Sequence, residues 1–191
     1  MPRFILSLFL LTMYSAHADW QLSTPSSLTF TSTKNTHLVE VHRFTRLEGY
    51  VKHNGEAKLQ IDLASIDSNI AIRDERMRDL LFKTTQFARA ELTARIPEAI
   101  VQQAQNGQTV SYDLDGDLWL HGSRQPVSVP VTVVPTADGK VVISNSQPVL
   151  LHADAFGLTK GIQALRDIAG LETIGEVVPV HFTLTFAPST Q

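Results

Sequence analysis

Near the C-terminus, Val178, Val180, Phe182, Leu184 and Phe186 occupy every second position. Alternation of this kind marks a strand with one apolar and one wet face, and it recurs along the chain. Leu28 and Phe30 share a side of Ser27–Ser32. Leu59, Ile61 and Leu63 share a side of Lys58–Leu63, opposite Lys58, Gln60 and Asp62. Val127, Val129, Val131 and Val133 form a further row. Strands this regular, wet on one face, belong to antiparallel sheets closed into a barrel or packed as a sandwich.

The turn residues agree. Asn54-Gly55 stands between Tyr50–His53 and Ala57–Leu63, and Asp138-Gly139 between Val131–Pro135 and Lys140–Ser144. Both dipeptides accept the positive φ angles of tight hairpins. Asn106-Gly107 reads as another reversal before a strand over Thr109–His121. Two segments break the alternation. Asp74–Phe82 carries Met77, Leu80 and Leu81 at helical spacing, with acidic residues in its first turn, where they suit the helix dipole. Lys160–Ala169 places Ile162, Leu165, Ile168 and Ala169 on one face, with Gly170 positioned to end it. Pro97–Gln105 reads as a further short helix. Helices so short and one-sided suit a cover over a barrel, and no repeat or linker divides the chain.

Residues 1–18 read as an export leader. Arg3 gives a positive start, Phe4–Tyr14 is an apolar run too short to span a bilayer, and Ala16-His17-Ala18 offers small residues for cleavage before Asp19. No Cys follows that run, so an acylated lipoprotein leader is excluded. Loss of Arg3 moves the formal net charge from −3 to −4, and no basic cluster exists to meet nucleic-acid phosphates. With no Cys in the chain, disulfides, thiol catalysis and thiolate metal sites are all excluded. Residues 19–191 are thus expected to form one exported domain held by core burial and sheet pairing.

The run Ile61-Asp62-Leu63-Ala64-Ser65-Ile66-Asp67-Ser68, followed by Ile72-Arg73-Asp74 and Arg78-Asp79-Leu80-Leu81-Phe82, resembles the signature of the YceI-like family. Ser26–Thr31 with Val41–Gly49 is similar to that family's opening strands. Leu118–Val129 is similar to its strand-turn-strand, and Ala155-Phe156-Gly157-Leu158 with Val177–Phe186 to its closing segment. The resemblance implies a mainly β chain: one eight-stranded antiparallel lipocalin-like barrel with two or three short covering helices. It also implies a periplasmic carrier with a polyisoprenoid or isoprenoid-quinone type of lipid in its lumen, no other cofactor and no catalysis. Transient contact with the inner-membrane surface or a membrane enzyme follows as an expected partnership. Three departures place the sequence in a divergent branch: Ser123-Arg124-Gln125 for the usual Val-x-Lys, Ser68 for the usual Thr, and a longer connection over Pro97–Asn106.

An eight-stranded barrel encloses its own side chains or one slender ligand. An apolar strand face is ordinarily plain core; the resemblance is what makes the set a ligand wall. The inward residues so nominated are Leu28, Phe30, Leu59, Ile61, Leu63, Leu92, Leu114, Leu118, Val129, Val131, Phe182 and Leu184. Met77 and Leu81 are lid contacts from the first helix. Within the charged run 73–79 most residues read as a solvated helix with local pairs such as Glu75–Arg78. Arg73 and Arg78 are the groups considered for a polar lipid head at the mouth, and Arg73 is the one nominated, because it lies in the family-like signature.

Other chemistries find little purchase. His37, His42, His53, His121, His152 and His181 show no metal-ligand spacing and read as solvated or hydrogen-bonded. Asp113, Asp115 and Asp117 superficially suggest a calcium loop, but Gly116 is fourth where a sixth-position Gly is needed and Arg124 is twelfth where an acid is needed. Alternation makes them an outward acidic face instead. No Gly-x-Ser-x-Gly elbow, Ser-x-x-Lys pair or phosphate-binding glycine loop is present. The alternative to a carrier is a non-catalytic envelope module, binding partners or serving in stress response, with a collapsed core and no lipid. An enzyme acting on a lipid or quinone would need a buried group such as His152 or His181 beside a carboxylate.

Overall fold

The computed structural model describes residues 19–189; the expected leader lies outside the described residues. Eleven strands follow in order: β1 (Trp20–Lys34), β2 (Leu38–Phe44), β3 (Leu47–Val51), β4 (Glu56–Asp62), β5 (Ile66–Asp67), β6 (Arg89–Arg95), β7 (Val110–Leu120), β8 (Ser123–Pro135), β9 (Val141–Asn145), β10 (Val149–His152) and β11 (Val177–Pro188). All pair antiparallel, and β11 pairs back onto β1, so the sheet closes into an eight-stranded barrel. Closure removes the free edges that an open sheet would expose.

Eight staves arise from eleven strands because three staves are broken, the short β5 continuing the stave of β4 alongside β2. β1 pairs with β3 at Trp20 and Gln21 but with β2 from Leu28 to Lys34, so β2 and β3 share one position around the barrel. Likewise β11 pairs with β10 over Val177–Val180 and with β9 over residues 183–186. Below the breaks, β3 pairs with β4 and β9 with β8. Above them, β2 has only β1 and the short β5 as partners, and β10 only β11. The upper half is therefore splayed, and other elements fill the gaps. The turn Leu63–Ser65 ties in through Thr45 N and Thr45 Oγ1 to Ser65 O and Arg46 N to Ser65 Oγ. The turn Asp154–Phe156 reaches β8 through Gln125 Nε2 donating to Ala155 O.

The hairpin turns fall where the sequence puts them. Gly55 takes φ +84° between β3 and β4, and Gly139 takes φ +78° between β8 and β9. Gly55 is needed on a second count: a Cβ there would lie 2.1 Å from Ile96 O.

Three helices complete the fold. Helix α1 (Ala71–Arg76) runs on into a π-helical turn, Met77–Phe82, and α3 (Thr159–Ala169) ends at Gly170 in the left-handed region. Both lie over the upper end. Helix α2 (Glu98–Gln105) joins β6 to β7 and closes the lower end, burying Val101 and Ala104. α3 rests on the π turn through Gly161, whose missing Cβ would stand 2.7 Å from both Leu80 O and Leu81 Cα. The first helix starts earlier than its periodicity indicates and changes pitch. Met77, Leu81 and Phe82 are its buried apolar residues, not Met77, Leu80 and Leu81. The wider i→i+5 turn brings Phe82 inward beside Leu81, which α spacing alone does not.

Candidate functional site

Inside the upper half lies a cavity of about 150 Å³ whose lining is entirely apolar. Its wall is the inward row of each stave: Leu28 and Phe30 of β1, Leu59 and Ile61 of β4, Leu92 of β6, Leu118 and Leu120 of β7, Val127 and Val129 of β8, and Val178, Val180 and Phe182 of β11. Phe44, Leu63, Ala90, Val149 and Leu151 complete the sides. Leu81 and Phe82 of the π turn, with Ala153, Phe156, Leu158 and Ile162, form its roof. Phe30, Phe44 and Phe82 interlock there, with ring centroids 5.5 to 6.4 Å apart, separations at which aromatic pairs attract.

A second cavity of about 140 Å³ adjoins this chamber, sharing Phe30, Leu81, Ile162 and Val178 with it. It differs in chemistry, because Ser32, Lys34, His42, Arg73 and Arg76 join Met77, Leu165 and Ile174 in its lining. Arg73 is held firmly: Nη1 donates to Glu40 at 2.5 Å, Nη2 to Ser68 O at 2.6 Å and Nε to Ser68 Oγ at 2.8 Å. Lys34 also pairs with Glu40. Burial alone would raise the Glu40 carboxyl, but the hydrogen bonds from Lys34 and Arg73 outweigh it and hold the group at about 2. Asp74 is buried and accepts from Ser68 N at 2.8 Å. His42 is buried beside Phe30, with Nε2 2.8 Å from Ser32 Oγ and Nδ1 without a hydrogen-bond partner. Burial, and then the charge of Arg73, push its pKa below the ordinary imidazole value.

The nominated residues divide among three places. Leu28, Phe30, Leu59, Ile61, Leu63, Leu81, Leu92, Leu118, Val129 and Phe182 line the chamber. Arg73 and Met77 line the polar antechamber, which Phe30 and Leu81 also reach. Leu114, Val131 and Leu184 line neither and pack in the core beneath the chamber. Arg78 lines neither cavity, and among the described residues the ion pair of the charged run is Arg73 with Glu40 of β2, not Glu75 with Arg78. His152 and His181, the two histidines weighed for catalysis, are exposed. Among the described residues no group of three or more His, Cys, Asp or Glu is placed to hold a metal.

Roof and upper wall are what the sequence reading missed. Phe44 follows Glu40 and His42 on the inward side of β2, and that mixed row hides the stave. Ile162 stands in the apolar row read for the third helix, and Phe156 and Leu158 in the family-like closing segment; neither pattern tells which cavity they face.

An eight-stranded antiparallel barrel enclosing an apolar chamber under a helical roof defines the lipocalin-like class of barrels. Within that class, the YceI-like domain model matches residues 20–186, and the chain belongs to that family. Among solved structures, the polyisoprenoid binding domain from Saccharophagus degradans implicated in plant cell wall breakdown is 35% identical, with a TM-score of 0.85 over 91% of this chain and 99% of that one. BcnA of Burkholderia cenocepacia shares the fold at 20% identity and TM-score 0.66, over 84% of this chain and 95% of that one. The Campylobacter jejuni YCEI protein does so at 13% and 0.55, over 78% and 85%. No curated protein matches the sequence.

Proposed function

We propose that this protein is a non-catalytic periplasmic carrier that encloses a long apolar lipid, of polyisoprenoid or isoprenoid-quinone type. The observation that carries the reading is the entirely apolar chamber adjoining a second cavity that is polar on one side. A polyisoprenoid in water exposes every methylene at about 0.8 kcal/mol each, so a carrier must surround the tail. The chamber presents no polar side chain to such a tail. In the antechamber, Ser32 and His42 offer polar groups to the oxygen-bearing end of such a lipid. The 35% identical domain described as polyisoprenoid-binding supports the same ligand class. The expected leader supports export, with the mature chain beginning at Asp19.

Loading and release bring the roofed end to the inner-membrane surface or to a membrane enzyme. Leu38, Val39 and Val41 of β2 and Ile70 and Ile72 at the start of α1 are exposed there, and clustered exposed apolar side chains mark contact surfaces.

The test is competition between a long all-trans polyprenol and an apolar fluorophore in mature protein stripped of lipid. Displacement is expected from the natural chain and is lost in Ala90→Phe, which fills the chamber from its wall. A natural chain that takes up neither fluorophore nor polyprenol contradicts the carrier and leaves the partner-binding module. N-terminal sequencing of protein recovered from the periplasm tests export: a start at Asp19 is expected, and a start at Met1 contradicts it.

A further inference from the structure

Beneath the chamber lies a third cavity, about 40 Å³, lined by Trp20, Val51, Val133, Val141, Ile143 and Phe186 together with residues of and near α2. It is apolar too, yet shares no lining residue with the chamber. The strands show what separates them. Along the inward row of β8, Val129 lines the chamber, Val133 lines the lower cavity, and Val131 between them lines neither. Along β11 the same sequence is Phe182, Leu184, Phe186, and along β1 it is Leu28, Leu22, Trp20. Leu114 of β7, the register partner of Val129, packs into this intermediate level. Val131 is 1% exposed and Leu184 5%.

We infer that this level, built from Leu22, Leu114, Val131 and Leu184, is a floor that sets the longest lipid tail the barrel accepts. The inference rests on the carrier reading and names its specificity. A close-packed layer of short branched side chains does not give way gradually, and Val131 is stiff about its single side-chain torsion. A tail that reaches the floor must leave any further methylenes in the antechamber, against Lys34 and Arg73. One inward level spans roughly 5 Å along the axis, from two residues of a strand tilted by about 40°. That is close to the length of one extended isoprene unit. Leu114, Val131 and Leu184 thus act through length: they meet the end of the tail, while the residues above meet its sides.

The experiment titrates mature protein with all-trans polyprenols of increasing isoprene number, in competition with an apolar fluorophore. In the natural chain, each added unit strengthens binding by at least about tenfold, less than the gross transfer value of its five carbons because ordering and desolvation oppose it, until the tail meets the floor, after which affinity stops rising or falls. Val131→Ala with Leu184→Ala joins chamber and lower cavity and moves that limit upward by about one to two units. Val131→Ala alone, the smaller truncation, serves if the pair does not fold. Val129→Phe, just above the floor, moves the limit downward. A limit that exists but stays fixed in the Val131 and Val129 variants overturns the floor and leaves the carrier standing. Affinity that climbs with length without a limit also overturns it. A natural chain that binds no polyprenol removes the carrier, and the floor with it.

Discussion

The two ends of the barrel are built from the same alternating strands and are closed by opposite means. At the lower end, β3 and β9 keep sheet neighbours on both sides, and α2 plugs the opening over a cavity of only about 40 Å³. At the upper end, β2 and β10 lose neighbours, and turns and helices fill the gap over cavities of about 150 and 140 Å³. Sheet hydrogen bonds hold one end; side-chain packing and a half-buried ionic group hold the other. The difference teaches where each end spends its structure. The lower end gives the fold its stability, and the upper end gives up continuous pairing for enclosed apolar space.

Truncation separates the two ends most strongly. Phe186→Ala at the lower end empties a site where the ring is 4% exposed and lowers unfolding free energy by about 3–5 kcal/mol. Urea denaturation reads the loss, and lipid affinity moves far less than stability. The counterpart at the roof is Gly161→Val. Its Cβ collides with backbone of the π turn, so α3 lifts, at about 1–3 kcal/mol of overpacking. Stopped-flow exchange of bound lipid is expected to speed up. If Phe186→Ala speeds exchange and Gly161→Val does not, the division between the ends fails.

A pH series sharpens the comparison. His42 at the upper end has its pKa lowered from 6.5, so its contribution to stability is complete above pH 6.5 and is lost as pH falls below that value. Glu40, lowered from 4.5 to about 2, loses its contribution only between those two values. Thermal midpoints measured from pH 7 to 5 therefore fall in the natural chain and fall less in His42→Phe. An identical slope in both would detach His42 from the effect. The smallest change is expected on the outer wall, where Arg124 pairs with Asp117 and lies over Trp119. Arg124→Ala leaves the urea midpoint and lipid binding unchanged, because an exposed pair is screened by solvent.

The lower half and the wall of the chamber were legible in the sequence because each inward row there is uniform. Val127 to Val133 and Val178 to Phe186 read directly as staves, and the Asn-Gly and Asp-Gly turns fixed where they reverse. The upper half was not, because its elements depend on neighbours distant in the chain. Glu40 and His42 interrupt the inward row of β2, and only Lys34, Arg73 and Ser32, brought in by other elements, make those polar groups tolerable there. The π turn follows from the seat of α3 at Gly161, about eighty residues away in sequence. Leu114, Val131 and Leu184 were grouped with the chamber wall because alternation reports the side a residue faces and not its depth along the barrel.

The most direct test of the central claim is native mass spectrometry of the protein purified from its own cells, followed by organic extraction and identification of whatever is released. The expected result is the chain beginning at Asp19 carrying one apolar isoprenoid lipid of discrete mass, released with loss of that increment. A bare chain, unchanged in mass when polyprenyl lipids are offered, would contradict it.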